Sequence, residues 1–329
     1  MSFFAVLLSL VIEQLRPLPR DNTVHDALVL WTRWIGRNFD AGRDHHAWVV
    51  WVLSVGLPTV AVFGVHFALM QVSLLLALAW SVLVLYMTLG FRQFSHYFTD
   101  IRDALERGDE TEARRLLAQW RHLDASDLPR AELLRQVIEH SLLAAHRHVF
   151  GVFFWFVVLA TLGLGPAGAV LYRLAEFSSR FWAFRIRTVG VPINERLMQR
   201  SQMLFSILDH VPARLTAFGF AVVGDFEAAI ECWRRDAGLW AHDNDGVILA
   251  AAAGAVGVRL GGSAPPPLPV DLPKSLTASA TLDGTAALGS TPGLVPQFGH
   301  LRSIVGLVWR SVVLWMLLLA LITLANLAP

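Results

Sequence analysis

The chain alternates long stretches without a single charged residue with stretches rich in arginine and acids. Residues 47–91 hold no Asp, Glu, Lys or Arg, and two further charge-free runs follow at 149–172 and 311–329. Hydrocarbon about 30 Å thick takes ~20 apolar residues in helix to cross. The first run therefore predicts a helical hairpin, 47–70 and 73–90, turning near Gln71. Gly56 and Pro58 predict a kink in its first arm, which membrane helices tolerate. Residues 2–15 are apolar apart from Glu13 and Gln14. That is short for a crossing, with neither a basic start nor a small-residue cleavage site, so it predicts a segment tucked into the bundle or lying at the interface.

The polar stretches read as helices too. In 25–39, Leu28, Leu30, Trp31, Trp34 and Ile35 share one side, while Asp26, Arg33 and Arg37 share the other. Such a helix lies flat on a membrane or packs on a polar domain. Residues 92–147 predict helices broken at Gly108, with Asp109 as N-cap, Glu112 completing a capping box and Glu110–Arg114 as an i,i+4 pair. The run after Val149 is interrupted at Gly163, Gly165 and Pro166. Arginines crowd both before and after it, and Lys/Arg-rich loops stay cytoplasmic. Two half-helices meeting at Gly165–Pro166 keep both clusters on one side, so a re-entrant pair is predicted. Apolar patches at 215–223 and 247–258 are too short for spans and are expected to pack on the bundle near the membrane surface.

Composition agrees with a membrane chain: 55% hydrophobic and 16% charged, below the ~25% charged of soluble domains. A net charge of +1 gives no field for nucleic acid. Cys232, the single cysteine, excludes an internal disulfide framework and a cysteine-rich zinc site. No Walker loop, serine elbow or dinucleotide fingerprint occurs. His146 and His148 lie about 200° apart on a helix and do not converge on a metal.

Two polar clusters are candidates. Asp236, His242, Asp243, Asn244 and Asp245 surround a turn before an apolar helix. They suit a phosphate or cation at a helix N-terminus, or simply an N-capping loop. Glu13, His96, Asp100, Asp103, Glu139, His140 and Arg214 could meet at the mouth of the bundle. The alternative is a solvated face with internal pairs, Asp103 with Arg107 and Arg135 with Glu139. His66, ionisable at membrane depth, is a functional candidate or a hydrogen-bonded bystander.

Several segments resemble the CobD/CbiB superfamily, whose best-known members are membrane amide synthases joining aminopropanol (as its phosphate) to a corrinoid carboxylate with ATP. Phe91-Arg-Gln-Phe-Ser-His96 through Ile101–Asp109 resembles its helix ending in an "AL..GD" turn. The stretch from Asp127 to Glu139 resembles its "RA…VE" helix, Gly165–Arg173 its "GxPGALxYR" segment, and Val211-Pro-Ala-Arg-Leu215 its "IPARL". Arg235-Asp-Ala237, Asn244-Asp-Gly246 and Leu260-Gly-Gly262 are similar to "RDA…SPNAG…LGG". Several synthase acids are absent: Leu143, Arg147, Phe205 and Ser206 stand at their positions, Ala144 replaces an Asn, and Asp209 stands where another Asn was. Phosphoryl transfer needs carboxylates to hold Mg²⁺. A retained scaffold without its acids, Glu13 in place of the opening Asp, and a span after a long linker resemble the AmpE branch, linked to sensing of cell-wall stress.

The sequence thus predicts an all-α, polytopic membrane helical bundle of the bacterial inner membrane, with three or four spans, a helical cytoplasmic domain and one broken, re-entrant helix. Its expected parts are 1–45, a short membrane segment and interfacial helix; 46–91, the hairpin; 92–148, cytoplasmic helices; 149–179, the re-entrant element; 180–262, peripheral helices; 263–299, a mobile Pro-rich linker; and 300–329, the last span. The expected function is ligand or protein-partner binding in signalling or envelope homeostasis, by a non-catalytic or chemically altered member, with no cofactor or metal assigned. No residue is assigned as catalytic. The alternatives are a divergent adenosylcobinamide-phosphate synthase using Mg-ATP and, with only the broken helix behind it, a transporter. The bilayer is a partner in every case.

Overall fold

The computed structural model describes residues 2–15, 23–40, 44–89, 91–121, 124–189, 195–262 and 289–325. Among them the chain is all-helical. The one extended feature is a pair of isolated bridges, Val258 with Leu294 and Gly261 with Ser290. Three helices are long and apolar enough to cross a membrane: His45–Val72, Arg130–Thr161 and Phe298–Ala325.

Helix α1 (Ser2–Leu15) packs on the bundle, burying Ala5, Val6, Ser9 and Glu13. Helix α2 (Thr23–Phe39) divides its apolar side. Ile35 is buried with Trp182 and Leu197, whereas Leu30 and Trp34 stay exposed.

The hairpin's first arm is α3 (Asp44–Trp51), a π turn at Val52–Gly56, and α4 (Leu57–Val72). Pro58 has no N–H to give, and the wider turn falls just before it, where Leu57 N–H reaches back five residues to Val52. Ser73 caps α5 (Leu74–Thr88), accepting from Leu75 N–H at 3.3 Å. Trp80 Nε1 donates to Val62 carbonyl across the hairpin at 3.3 Å.

Helices α6 (Phe91–Glu106) and α7 (Glu110–Arg121) meet at Gly108, whose φ of 81° favours glycine. Asp109 caps α7 by accepting from Glu112 N–H at 3.0 Å. The reciprocal half of the capping box is not made; the Glu112 carboxylate takes Arg115 instead. Helix α8 (Arg130–Ala145) continues through a second π turn, His146–Phe150, into α9 (Gly151–Thr161). The helix runs unbroken across 148–149, where the polar and membrane segments were expected to divide.

Leu162–Pro166 then reverses the chain, with Gly163 and Gly165 at φ 79° and 58°. Helix α10 (Ala167–Val189) returns along α9. The approach is close enough that a Cβ on Gly168 would collide with the Trp155 carbonyl, and one on Gly151 with the Tyr172 ring. His66 fills the broken turn, its imidazole seated on Gly165. The break is thus the turn of a helical hairpin formed by α9 and α10.

Helix α11 (Glu195–Val223) passes through Pro212, and α12 (Phe226–Asp236) is capped by Asp225. Helix α13 (Asp243–Val256) packs into the bundle and is buried continuously from Gly246 to Gly254. Its composition explains this: alanines and Gly254 let α12 approach until a Cβ at 254 would strike the Ala228 carbonyl. Gly257, at φ 72°, ends it.

Most of the expected linker, 263–288, lies outside the described residues. In its last part Thr291, 1% exposed, donates its N–H to the Leu260 carbonyl at 2.8 Å and accepts at Oγ1 from Leu260 N–H at 2.9 Å, which clips 289–294 against 258–262. Helix α14 (Phe298–Ala325) then enters the bundle, with Arg302 3.5 Å from Glu106.

Candidate functional site: a buried polar seam

The π turn, α10, α11 and α13 bring charged and polar groups together inside an otherwise apolar bundle. His146 donates or accepts at both ring nitrogens: Nε2 lies 2.7 Å from Asp209 Oδ1 and Nδ1 2.9 Å from Thr216 Oγ1. Tyr172 OH donates to the same Asp209 oxygen at 2.6 Å. All four side chains are buried. Burial works to raise the Asp209 carboxyl, but His146, the Tyr172 hydroxyl and Arg147 outweigh it and hold it below the usual carboxylate range.

Beside this core, Arg147 Nη2 holds both oxygens of Asp245 at 2.7 and 2.8 Å. Arg214 Nη1 donates to Asn244 Oδ1 at 3.2 Å and to His210 carbonyl at 2.9 Å. Asn244 Nδ2 in turn donates to Ser206 carbonyl at 2.9 Å. Glu176, 1% exposed, accepts from both Arg173 and Arg180 at 3.0 Å. Glu139 accepts from Arg135 and from Gly261 N–H, each at 2.8 Å, tying α8 to the end of α13. A buried carboxylate without such partners would cost several kcal/mol, so this network is what lets acids sit here at all.

The sequence candidates divide accordingly. Asn244, Asp245, Arg214 and Glu139 join the seam. The 236–245 cluster splits rather than gathering on one turn. His242 is the N-cap and makes no side-chain cap bond, while Asn244 and Asp245, in the first turn of α13, reach across to α11 and the π turn. His242 and Asp243 are exposed, and Asp236 turns back to Arg235 at 2.9 Å.

The bundle-mouth set does not form one site either. His140 packs edge-on against Trp120, and Glu139 faces Gly261. His96, Asp100 and Asp103 stay on α6, where Asp103 pairs with Arg102 at 2.7 Å rather than with Arg107. Arg107 belongs to the turn before Gly108, its N–H closing back onto the Asp103 carbonyl. The expected Arg135–Glu139 pair is present at 2.8 Å. Glu13 lies apart, buried on α1. The seam's centre, His146, Tyr172, Thr216 and Glu176, was not singled out. Arg147 was read only as a lost acid, although it has a counter-charge in Asp245.

The segments converging here are those that carry the family resemblance: Glu139, Tyr172, Arg173, Arg214, Asn244 and Gly261 each fall in one. A profile of the CobD/Cbib protein family matches residues 2–265. The chain belongs to the CobD/CbiB family. It is 33% identical over 286 residues to "Cobalamin biosynthesis protein CobD" of Stutzerimonas stutzeri, covering 86% of this chain and 84% of that one. A protein of the same name from Chromobacterium violaceum is 35% identical over 193 residues, 58% of each chain. One from Geobacter metallireducens is 26% identical over 267 residues, covering 79% and 80%. No solved structure matches the chain. These relatives favour the cobalamin-assembly reading of the CobD/CbiB scaffold over the signalling one.

The synthases' Mg²⁺ finds no ready place among these groups. Among the described residues no three His, Cys, Asp or Glu side chains gather as ligands. Asp209, Asp245 and Glu176 are each already matched by a cation or donor. The donor set fits a phosphate better than a metal, since guanidinium groups recognise phosphate directly.

Proposed function

We propose that this chain works in cobalamin biosynthesis as a membrane amide synthase of the adenosylcobinamide-phosphate synthase type, joining an amino-alcohol phosphate to a corrinoid carboxylate at the seam. The observation that carries this reading is the extent of its kinship with proteins named for cobalamin biosynthesis, reaching through every segment that contributes to the seam. In this reading Arg147, Arg173, Arg180 and Arg214 hold the phosphorylated reactant by charge. The His146–Asp209–Tyr172 core is too buried to touch substrate; it fixes the helices that carry the arginines. Inner-membrane placement, with the arginine-rich segments in the cytoplasm, follows from the positive-inside rule.

A second reading has its own observation. Each seam acid is neutralised within the protein, which suits an AmpE-like ligand- or partner-binding member that has given up metal-assisted chemistry. The deciding experiment incubates the purified chain with a corrinoid acid, aminopropanol phosphate and Mg-ATP, and follows amide product by mass spectrometry. Product that disappears in Arg173→Ala supports the synthase. No product, together with failure to rescue a synthase-deficient strain, rejects it in favour of the binding reading.

A further inference from the structure

Helix α11 presents an apolar face outward. Met203, Ile207, Val211, Leu215, Phe218 and Val222 are each 40–60% exposed. They recur every three or four residues and so share one side of the helix. Its polar chemistry points the other way. Asp209 and Thr216 are each 1% exposed and bond to His146 in the seam, and Arg214 reaches Asn244. Between 203 and 222, His210 is the one ionisable residue that is exposed. By composition α11 is not among the helices apolar enough to span.

Its contacts nevertheless place it beside the most apolar parts of two helices that are. Trp155 Nε1 donates to the Leu208 carbonyl at 3.0 Å. Phe220 meets Phe150 edge-on with centroids 5.9 Å apart, and Phe150 in turn lies 6.1 Å from Trp315. A Cβ on Gly219 would stand 3.5 Å from Trp315 Nε1. Phe150, Trp155 and Trp315 belong to the charge-free runs 149–172 and 311–329. Trp155 is eight residues past Arg147, ~12 Å along its helix. The stretch from Leu208 to Phe220 is therefore level with segments that hold no charge.

We propose that α11 is embedded in the bilayer, with its 203–222 face against lipid acyl chains and its polar face closing the seam off from them. Continuity selects this occupant. On α14, packed beside α11, Val313, Leu317 and Leu321 are 54–61% exposed in the same way, on a helix long enough to cross. The medium that covers those residues covers the adjoining face of α11. The two charges of this stretch then face protein partners, and its large apolar side chains face hydrocarbon.

The test places single nitroxide labels on the full chain in liposomes of phosphatidylethanolamine and phosphatidylglycerol, at Ile207→Cys, Val211→Cys or Phe218→Cys. Arg115→Cys on α7, where the native side chain is 56% exposed, is the water-facing reference. Cys232 is buried and gives little background. Collision with oxygen and with a water-soluble nickel chelate is read by power-saturation spectroscopy. All three α11 positions should meet oxygen more often, and nickel several-fold less often, than the reference. Nickel access equal to that of Arg115→Cys would mean water covers this face. Low access to both reagents would mean a second copy or another protein covers it. Either result overturns the proposal. Turnover enters neither outcome, so this inference stands or falls separately from the enzymatic one.

Discussion

Asp209 shows how far a single side chain in this protein depends on its partners. It lies inside the bundle, 1% exposed, and is bound at once by His146 and Tyr172. Removing a partner of a buried carboxylate leaves that charge undersatisfied, and truncating a buried imidazole to alanine opens a cavity as well, ~2–5 kcal/mol together. His146→Ala should therefore lower the melting temperature in detergent far more than Tyr172→Phe, which strips one donor at ~1–3 kcal/mol. Acid should act through the same group. The folded-state pKa of Asp209 is depressed, so its contribution is complete above the unfolded value of ~3.9 and is lost as pH falls through the lower folded value. Stability measured as pH falls below ~4 should drop more steeply in wild type than in Asp209→Asn; parallel curves there would refute this. Arg147 and Asp245 form the complementary case. Either single alanine should cost more than half of what the double variant costs, with a coupling of ~0.5–3 kcal/mol in a double-mutant cycle.

At the scale of elements, helix contacts here are set by where a Cβ is missing. Gly168→Ala and Gly254→Ala would drive a methyl into the backbone carbonyls of Trp155 and Ala228. Overpacking of this kind costs ~1–3 kcal/mol. Gly64 is the contrast: it lies within α4 with nothing near its missing Cβ. Gly64→Ala should be neutral or stabilise by up to ~1 kcal/mol, so thermal melts of the three variants should separate cleanly. Helix existence was legible in the sequence for a simple reason: charge-free runs, Pro58, Gly108 and Asp109 act locally. The seam was not legible, because its bonds join residues far apart in the chain, as His146 with Asp209 and Arg147 with Asp245 do. The depth of α13 was hidden as well. Its short apolar run looks peripheral by length, while its small residues, which let other helices close around it, carry no strong hydrophobic signal. The expected Asp103–Arg107 pair failed for a local reason, since it assumed a helix continuing past the Gly108 turn.

For the whole molecule, the return of α10 along α9 places the residues on either side of the break at one end of the bundle and Leu162 at the other. Cys232 is buried, with its thiol pushed up by that burial, so it gives little background to a cysteine-labelling experiment. In intact spheroplasts an impermeant maleimide should label Leu162→Cys, which is 68% exposed, and leave Arg107→Cys untouched until the membrane is opened. The reverse pattern would invert the assigned orientation. The long helix from Arg130 to Thr161 carries both halves of the protein, the seam on one stretch and apolar residues on the other, with the π turn at 146–150 between them. That turn works as a phase adjuster. Each residue advances a helix by ~100°, so the extra residue in the wider turn sets the rotation of the membrane half relative to the polar half. Deleting Val149 from it would leave the charge balance and the seam residues themselves unchanged. It would nonetheless swing either His146 away from Asp209 or the apolar stripe away from its neighbours. A length change in this one turn should thus be tolerated far less than a substitution in it.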